Sequence, residues 1–205
     1  MASMSDAHSH SSCHADGQHQ GHGGPPTQIL KDEHTLILQA LDSLEKKLDL
    51  IERGAAPDPA YIQKAVEFLR TFADRCHHGK EEDLLFKRMV SRGFPLHGGP
   101  IAVMLSEHEA GRAFIRGLAE GAAKAGSDPA AARQIVENGR GYIQLLRAHI
   151  HKENNILFPM ADNVLSPEDQ AELARAFERF ETEETGAGVH EAALKLLEEL
   201  QTGAQ

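Results

Sequence analysis

An all-α fold, an antiparallel up-down four-helix bundle with one or two extra C-terminal helices, follows from three features of the sequence. From Pro26 onward apolar residues recur in steps of three and four, the spacing that lines one face of a helix. Gly and Pro interrupt this rhythm at only a few places, which makes the helices long and their connections short. Nowhere do apolar and polar residues alternate as they would along a half-buried strand.

The first helix carries Leu30, His34, Ile37, Leu41, Leu44, Leu48 and Ile51 on one face, and Gly54 and Pro57 end it. The second follows Pro59 with Ile62, Val66, Leu69, Ala73, His77, Glu81 and Leu84, and stops near Gly93 and Pro95. Gly98-Gly99-Pro100 opens the third, whose stripe is Ile101, Leu105, His108, Gly111 or Arg112, Ile115, Leu118 and Ala122. Ser127-Asp128-Pro129 reads as a cap with a helix-starting proline. The fourth helix then shows Ile135, Tyr142, Leu146, His149, Glu153, Ile156 and Met160. Ser166-Pro167-Glu168-Asp169 caps a fifth helix to about Glu184, and Gly186-Ala187-Gly188 separates it from a short sixth over Val189–Gln201. The bundle is thus assigned to residues 27–165 and a helical extension to 166–205.

The 205 residues are one domain plus tails, enough for a core of their own. With 21 basic and 31 acidic residues the formal charge is −10, which argues against a nucleic-acid groove and against an anionic membrane surface. No apolar run approaches the ~20 residues of a membrane span, and no apolar signal core opens the chain. Two cysteines, Cys13 and Cys76, make no disulfide framework, so a reduced, cytoplasmic setting is expected. Residues 1–26 are polar and rich in Ser, Gly and His, and are expected to be disordered. Their His8, His10, His14, His19 and His22, beside Cys13, make either a weak scavenger of nickel, copper or zinc or a solubilising tail.

A repeat carries the chemistry. Residues 77–86 and 149–158 share the pattern His-x-x-Lys-Glu-x-x-x-Leu-Phe. Residues four apart lie above one another on a helix, so His77 with Glu81, and His149 with Glu153, each aim an imidazole and a carboxylate at one point. Each copy is preceded by a Glu-His pair: Glu33-His34 and Glu107-His108. The candidate ligands His34, His77, Glu81, His108, His149 and Glu153 all fall in core-facing stripes. Burying them without partners is costly, and a bound cation removes the difficulty; the plainer alternative is a layer of hydrogen-bonded His–Glu pairs. Four imidazoles and two carboxylates exceed the needs of one tetrahedral zinc. They suit two six-coordinate ions bridged by Glu81 and Glu153, each with two His, leaving positions for an oxo or hydroxo bridge and an exogenous ligand. Mixed nitrogen and oxygen ligation without thiolates suits iron, with manganese or zinc as substitutes.

The pattern resembles the hemerythrin-like family, the His–His–Glu cation-binding domain, over roughly residues 28–163. The resemblance implies a four-helix bundle around a non-haem di-iron centre, with the family's ligands at His34, at His77 and Glu81, at His108, and at His149 and Glu153. Two departures stand out. Oxygen-carrying members have a His four residues before the third-helix His, where this chain has Met104, and an Asp five residues after the fourth-helix His, where Glu153 comes four after His149. The site is closer to the symmetric four-His, two-carboxylate centres of the bacterial branch, which includes proteins that repair iron–sulfur clusters. Ferritin-like di-iron proteins use Glu-x-x-His, a spacing this chain lacks.

Several neighbours are open to more than one reading. His78 is an extra ligand, a hydrogen-bond donor behind the ligands, or a helix-interface residue; His151 is expected to point away. Glu109 and Arg112 orient ligands or form a surface ion pair. Cys76 is a packed thiol, Tyr142 core or pocket lining, and Met104 and Leu105 an apolar cover, while His190 reaches the site only if the last segment folds back. Three functions are compatible with such a centre: binding or sensing of O2, NO or peroxide; an oxidoreductase or iron donor for iron–sulfur cluster repair; and iron storage.

Overall fold

A computed structural model of the chain describes residues 25–186 and 188–204. The His-rich tail, up to Gly24, lies outside these residues. Six helices follow in order: α1 (Pro26–Glu52), α2 (59–91), α3 (Pro100–Lys124), α4 (131–164), α5 (167–186) and α6 (Val189–Gly203). Their ends have local causes. Gly54 and Gly93, at φ 98° and 97°, turn the chain out of α1 and α2 in a conformation that favours glycine. The Asp58 carboxylate accepts the N–H groups of Ala60 and Tyr61 at the start of α2. Ser166 and Asp169 form a reciprocal capping box at the start of α5. Asp128 accepts the N–H of Ala130, and regular helix begins only at Ala131, two residues beyond Pro129.

Helices α3 and α4 pack along their length, α1 lies against α4, and α2 against α3. Between α1 and α2 the packing is thinner, because α6 lies against both, while α5 packs on α1 and on the later part of α2. The C-terminal extension therefore covers one side of the bundle. One apolar cluster includes Leu41, Phe72, Leu118, Tyr142 and Leu197. A second includes Leu30, Phe86, Met104, Phe158 and Phe177. Buried polar groups (His34, His77, His78, Lys80, Glu81, His108, His149 and Glu153) separate the two. No helix among the described residues is long and apolar enough to cross a membrane.

The α-helical register assumed from sequence slips beyond the layer glutamate in each repeat. The stripes put Leu84 and Ile156 inward, but Leu84 is half-buried and Ile156 is 52% exposed. Leu85 and Leu157 are buried in their stead, at 0% and 1%. The cause is a wider π-type turn over Glu81–Leu85 in α2 and over Glu153–Leu157 in α4. Bonding to the fifth residue back adds a residue to the turn and moves the inward position on by one. Met160 is exposed and Ala161 buried for the same reason. The expected continuous α-helix is thus interrupted by a widening that starts at Glu81 in one repeat and at Glu153 in the other, and α2 is π-type earlier as well, over Leu69–His78.

Candidate metal centre

The fold brings all six sequence-derived candidates into one layer, each 2% exposed or less. His34 comes from α1, His77 and Glu81 from α2, His108 from α3, and His149 and Glu153 from α4. His34 Nε2 lies 3.2 Å from Glu153 Oε2, and His149 Nε2 lies 3.1 Å from Glu153 Oε1. His77 Nε2 and His108 Nε2 lie 3.6 and 3.5 Å from Glu81 Oε1 and Oε2. Each carboxylate therefore reaches one imidazole with each oxygen. Ligand atoms of His34, His77, Glu81 and Glu153 all fall within 4.8 Å of one another, as do those of His78, Glu81, His108 and His149. Two donors about 2.1 Å from one ion and at right angles are about 3 Å apart, so these spacings fit neighbouring positions around a cation.

The ring nitrogens facing away from the layer are held by hydrogen bonds. His77 Nδ1 donates to Glu33 Oε2 at 2.8 Å, and His149 Nδ1 to Glu107 Oε2 at 2.9 Å. In each repeat the Glu preceding the first His thus holds the second His. Lys80 is ion-paired with Glu33, and Lys152 with Glu107, so the repeated lysines hold the same two glutamates. The other two rings are held across the repeats. His34 Nδ1 donates to Asn154 Oδ1 at 2.9 Å, and His108 Nδ1 to Glu82 Oε1 at 2.7 Å. Asn154 and Glu82 each follow a layer glutamate. Protons committed to Nδ1 leave lone pairs on Nε2 pointing inward, the tautomer that a metal ligand requires.

Most of those inward atoms lack hydrogen-bond partners among the described residues. Nε2 of His34, His77 and His78, and both oxygens of Glu81 and Glu153, are buried without a hydrogen bond. His108 and His149 bring Nε2 atoms within 3.1 Å of each other. With both lone pairs bare, such a pair repels unless a proton or cation stands beside it. Buried donors and acceptors are otherwise nearly always satisfied.

Electrostatics follow from this burial. Burial pushes the Glu81 carboxyl well above the usual carboxylate range, and the adjacent Glu153 carboxylate pushes the same way. For Glu153 burial also opposes ionisation, but the His149 and His34 imidazoles outweigh it and hold that carboxyl well below the usual range. The two carboxyls behave as one acid that keeps a proton where a cation would otherwise neutralise them. Burial, reinforced by the charge of His34, holds His77 down to about 4 against the pull of Glu33. Glu33 falls to about 2, because Lys80 and the His77 bond overcome its burial.

These shifts set the acid response of the metal-free protein. His77 and Glu33 both have folded values below their unfolded ones, so both contribute stability at neutral pH that is lost on acidification. The His77 contribution disappears between pH 6.5 and about 4, and the Glu33 contribution between 4.5 and about 2. Each corresponds to roughly 3 kcal/mol, not additive because the two share one hydrogen bond. His149 and Glu81 act oppositely: Glu153 and Glu107 outweigh burial and raise His149, burial and Glu153 raise Glu81, and each contribution is lost as pH rises, while His78, held well below its ordinary value by burial, adds to the acid loss. The urea midpoint of chelator-treated protein is expected to fall from near pH 6.5 downward; a flat midpoint between pH 7 and 5 would contradict this.

The remaining residues sort clearly. His78, open to several readings from sequence, is buried beside the second group of ligand atoms. Arg112 bonds Glu82, Asp74 and Glu109 at 2.7–2.8 Å; through Glu82 it acts on His108, whereas Glu109 is a largely exposed partner. Cys76 is buried, and burial, against the pull of Lys80, pushes its thiol up to about 11. Glu33, Cys76 and Glu181 make a third grouping of ligand-type atoms, but the Lys80 ammonium bonds both carboxylates there. Tyr142 sits in the first apolar cluster, its hydroxyl without a hydrogen-bond partner among the described residues. Met104 is buried in the second cluster, with Leu105 packed against it. His190 meets the Phe72 ring edge-on, at 5.8 Å, and belongs to neither ligand group. His97 and His151 are exposed.

A helical bundle with a buried layer of imidazoles and carboxylates is a cation-binding architecture. The family description that matches the chain is the Hemerythrin HHE cation binding domain, over residues 26–161, and the chain belongs to that family. Its similar proteins include uncharacterized proteins of Mycobacterium bovis and of two Mycobacterium tuberculosis strains. Each is 26% identical over 124 residues, covering 60% of this chain and 48% of theirs. The chain spans about half the length of these relatives.

Proposed function

We propose that this protein is a non-haem di-iron protein whose centre reacts with O2, NO or peroxide in oxygen or redox sensing or the response to stress. The observation that carries the reading is the set of buried Nε2 and carboxylate oxygen atoms that face one another without hydrogen bonds among the described residues. His34 and His77 would hold one ion and His108 and His149 the other, with Glu81 and Glu153 shared. When bound, the iron pair supplies coordination positions for a small ligand and electrons for its reduction. The chain's own residues do the rest. Glu33, Glu107, Glu82 and Asn154 fix the rings with Nε2 inward. The apolar clusters on either side keep bulk water away, which strengthens every charge interaction in the layer. Nitrogen and oxygen donors also accept manganese or zinc, so iron is the reading to test first.

The test mixes reduced, iron-loaded protein with O2, hydrogen peroxide or NO in a stopped-flow spectrometer. Near-ultraviolet charge-transfer bands that form while iron stays bound support the proposal. Iron that leaves to a chelator on mixing points to donation, and a spectrum unchanged by all three reagents defeats the reading.

A further inference from the structure

We infer that His78 is a fifth imidazole ligand, supplied by α2 to the ion beside His108 and His149, so that the two ions have unequal protein ligands. This rests on the di-iron reading above. His78 is 4% exposed, and its Nε2 has no hydrogen-bond partner among the described residues. Its other ring nitrogen faces Asp74 Oδ1 at 3.4 Å, so the ring is oriented like the four others, with Nδ1 toward an acceptor and Nε2 free. A ligand atom of His78 lies within 4.8 Å of those of Glu81, His108 and His149. The ring lies face to face with that of His108, with centroids 3.8 Å apart and planes 13° from parallel, so the two rings must tilt toward each other to share one ion; it meets His149 edge-on at 5.7 Å. Arg112 holds both anchors on this side: its Nε donates to Asp74 and its Nη2 to Glu82, the acceptor for His108.

The internal repeat makes the assignment sharper. The position equivalent to His78 is Ile150, one residue after His149, and it too is buried, within the first apolar cluster. The position therefore faces inward in both repeats. In one it carries an aliphatic side chain that packs, and in the other an imidazole whose free nitrogen has only the layer to address. The residue one turn before His108 is Met104, which lies in the second apolar cluster. The additional nitrogen thus comes from the helix that also supplies His77 and Glu81. The ion beside His34 and His77 has two imidazoles, and its neighbour has three.

Iron-57-loaded full-length protein, oxidised in air, is compared with His78→Ala by Mössbauer spectroscopy and by competition with a chromophoric ferrous chelator. The wild type is expected to show two distinct iron environments in equal amounts. His78→Ala is expected to bind the second ion roughly tenfold or more weakly and to change one environment only. Added imidazole should restore both, whereas pyrrole, which fills the same space without a lone-pair nitrogen, should not. Should His78→Ala fail to fold by circular dichroism, His78→Gln gives the same readout with the space filled. A variant with wild-type affinity and spectrum, or rescue by pyrrole as well, overturns the assignment of His78 and leaves the iron pair standing. Wild-type protein that binds no iron pair overturns both.

Discussion

Replacing Glu33 with Ala is expected to destabilise the fold by about 3–5 kcal/mol, the loss seen when one member of a buried charge pair is removed. Two groups lose their partner at once. Lys80, 0% exposed, keeps Glu181, itself 31% exposed, as its one carboxylate partner among the described residues, and His77 loses the acceptor for Nδ1. A shift on the order of 10 °C in melting temperature follows for a domain of this size. Metal affinity should drop by roughly 10–100-fold as the ring loses its tautomer and orientation. The matching change in the second repeat, Glu107→Ala, is expected to be much milder. Lys152 is 33% exposed and Glu107 19%, so water replaces most of what the pair supplies. Urea titrations of the two variants, with and without iron, check this. Equal small losses would contradict the role given to the buried Glu33–Lys80 pair.

Glu81→Gln has opposite consequences in the metal-free and metal-bound states. Without metal, Glu81 keeps the proton that the two buried carboxyls share, and an amide of the same shape takes its place. Metal-free stability of Glu81→Gln should therefore change by no more than about 1 kcal/mol, with a gain as acceptable as no change, whereas Glu153→Gln takes the ionised carboxylate from the His34 and His149 imidazoles and is expected to lose stability without metal as well. With metal the Glu81→Gln outcome reverses. Bound ligand at a thousandfold excess over its Kd adds about 4 kcal/mol to the stability of the native state, and the variants forfeit most of that. Thermal melts in chelator and in iron, on the same preparations, separate the two terms. A loss of several kcal/mol by Glu81→Gln in chelator alone would mean that Glu81 holds the fold directly.

The sequence showed the ligand candidates because a four-residue step on a helix is a local property. His77 with Glu81, and His149 with Glu153, needed nothing beyond periodicity to fall on one face. The register beyond them was not legible. Nothing in the string Glu81-Glu82-Asp83-Leu84-Leu85 announces a wider turn, and the apolar pair Leu84-Leu85 fits either register; so does Ile156-Leu157. Burial of Lys80 was equally hidden, because it depends on α5 bringing Glu181 and the Phe177 ring over α2. A signal for the holding residues was nonetheless present. Glu33 and Glu107 precede equivalent histidines, and Lys80 and Lys152 occupy the same repeat position, so the duplication preserved the supports along with the candidate ligands. His78 could have been found the same way, from the apolar residue Ile150 at its counterpart.

The central claim is that the polar layer holds a pair of cations. Anaerobic titration of chelator-treated full-length protein with ferrous iron, followed by elemental analysis after gel filtration, tests it most directly. The double variant Glu81→Gln, Glu153→Gln serves as the reference, since it keeps the five tail histidines from His8 to His22. The expected result is two more iron atoms per chain in the native protein than in the double variant, with a higher melting temperature in step with the iron bound. Equal iron content in the two proteins, or a native protein that stays folded and iron-free throughout the titration, would contradict the account.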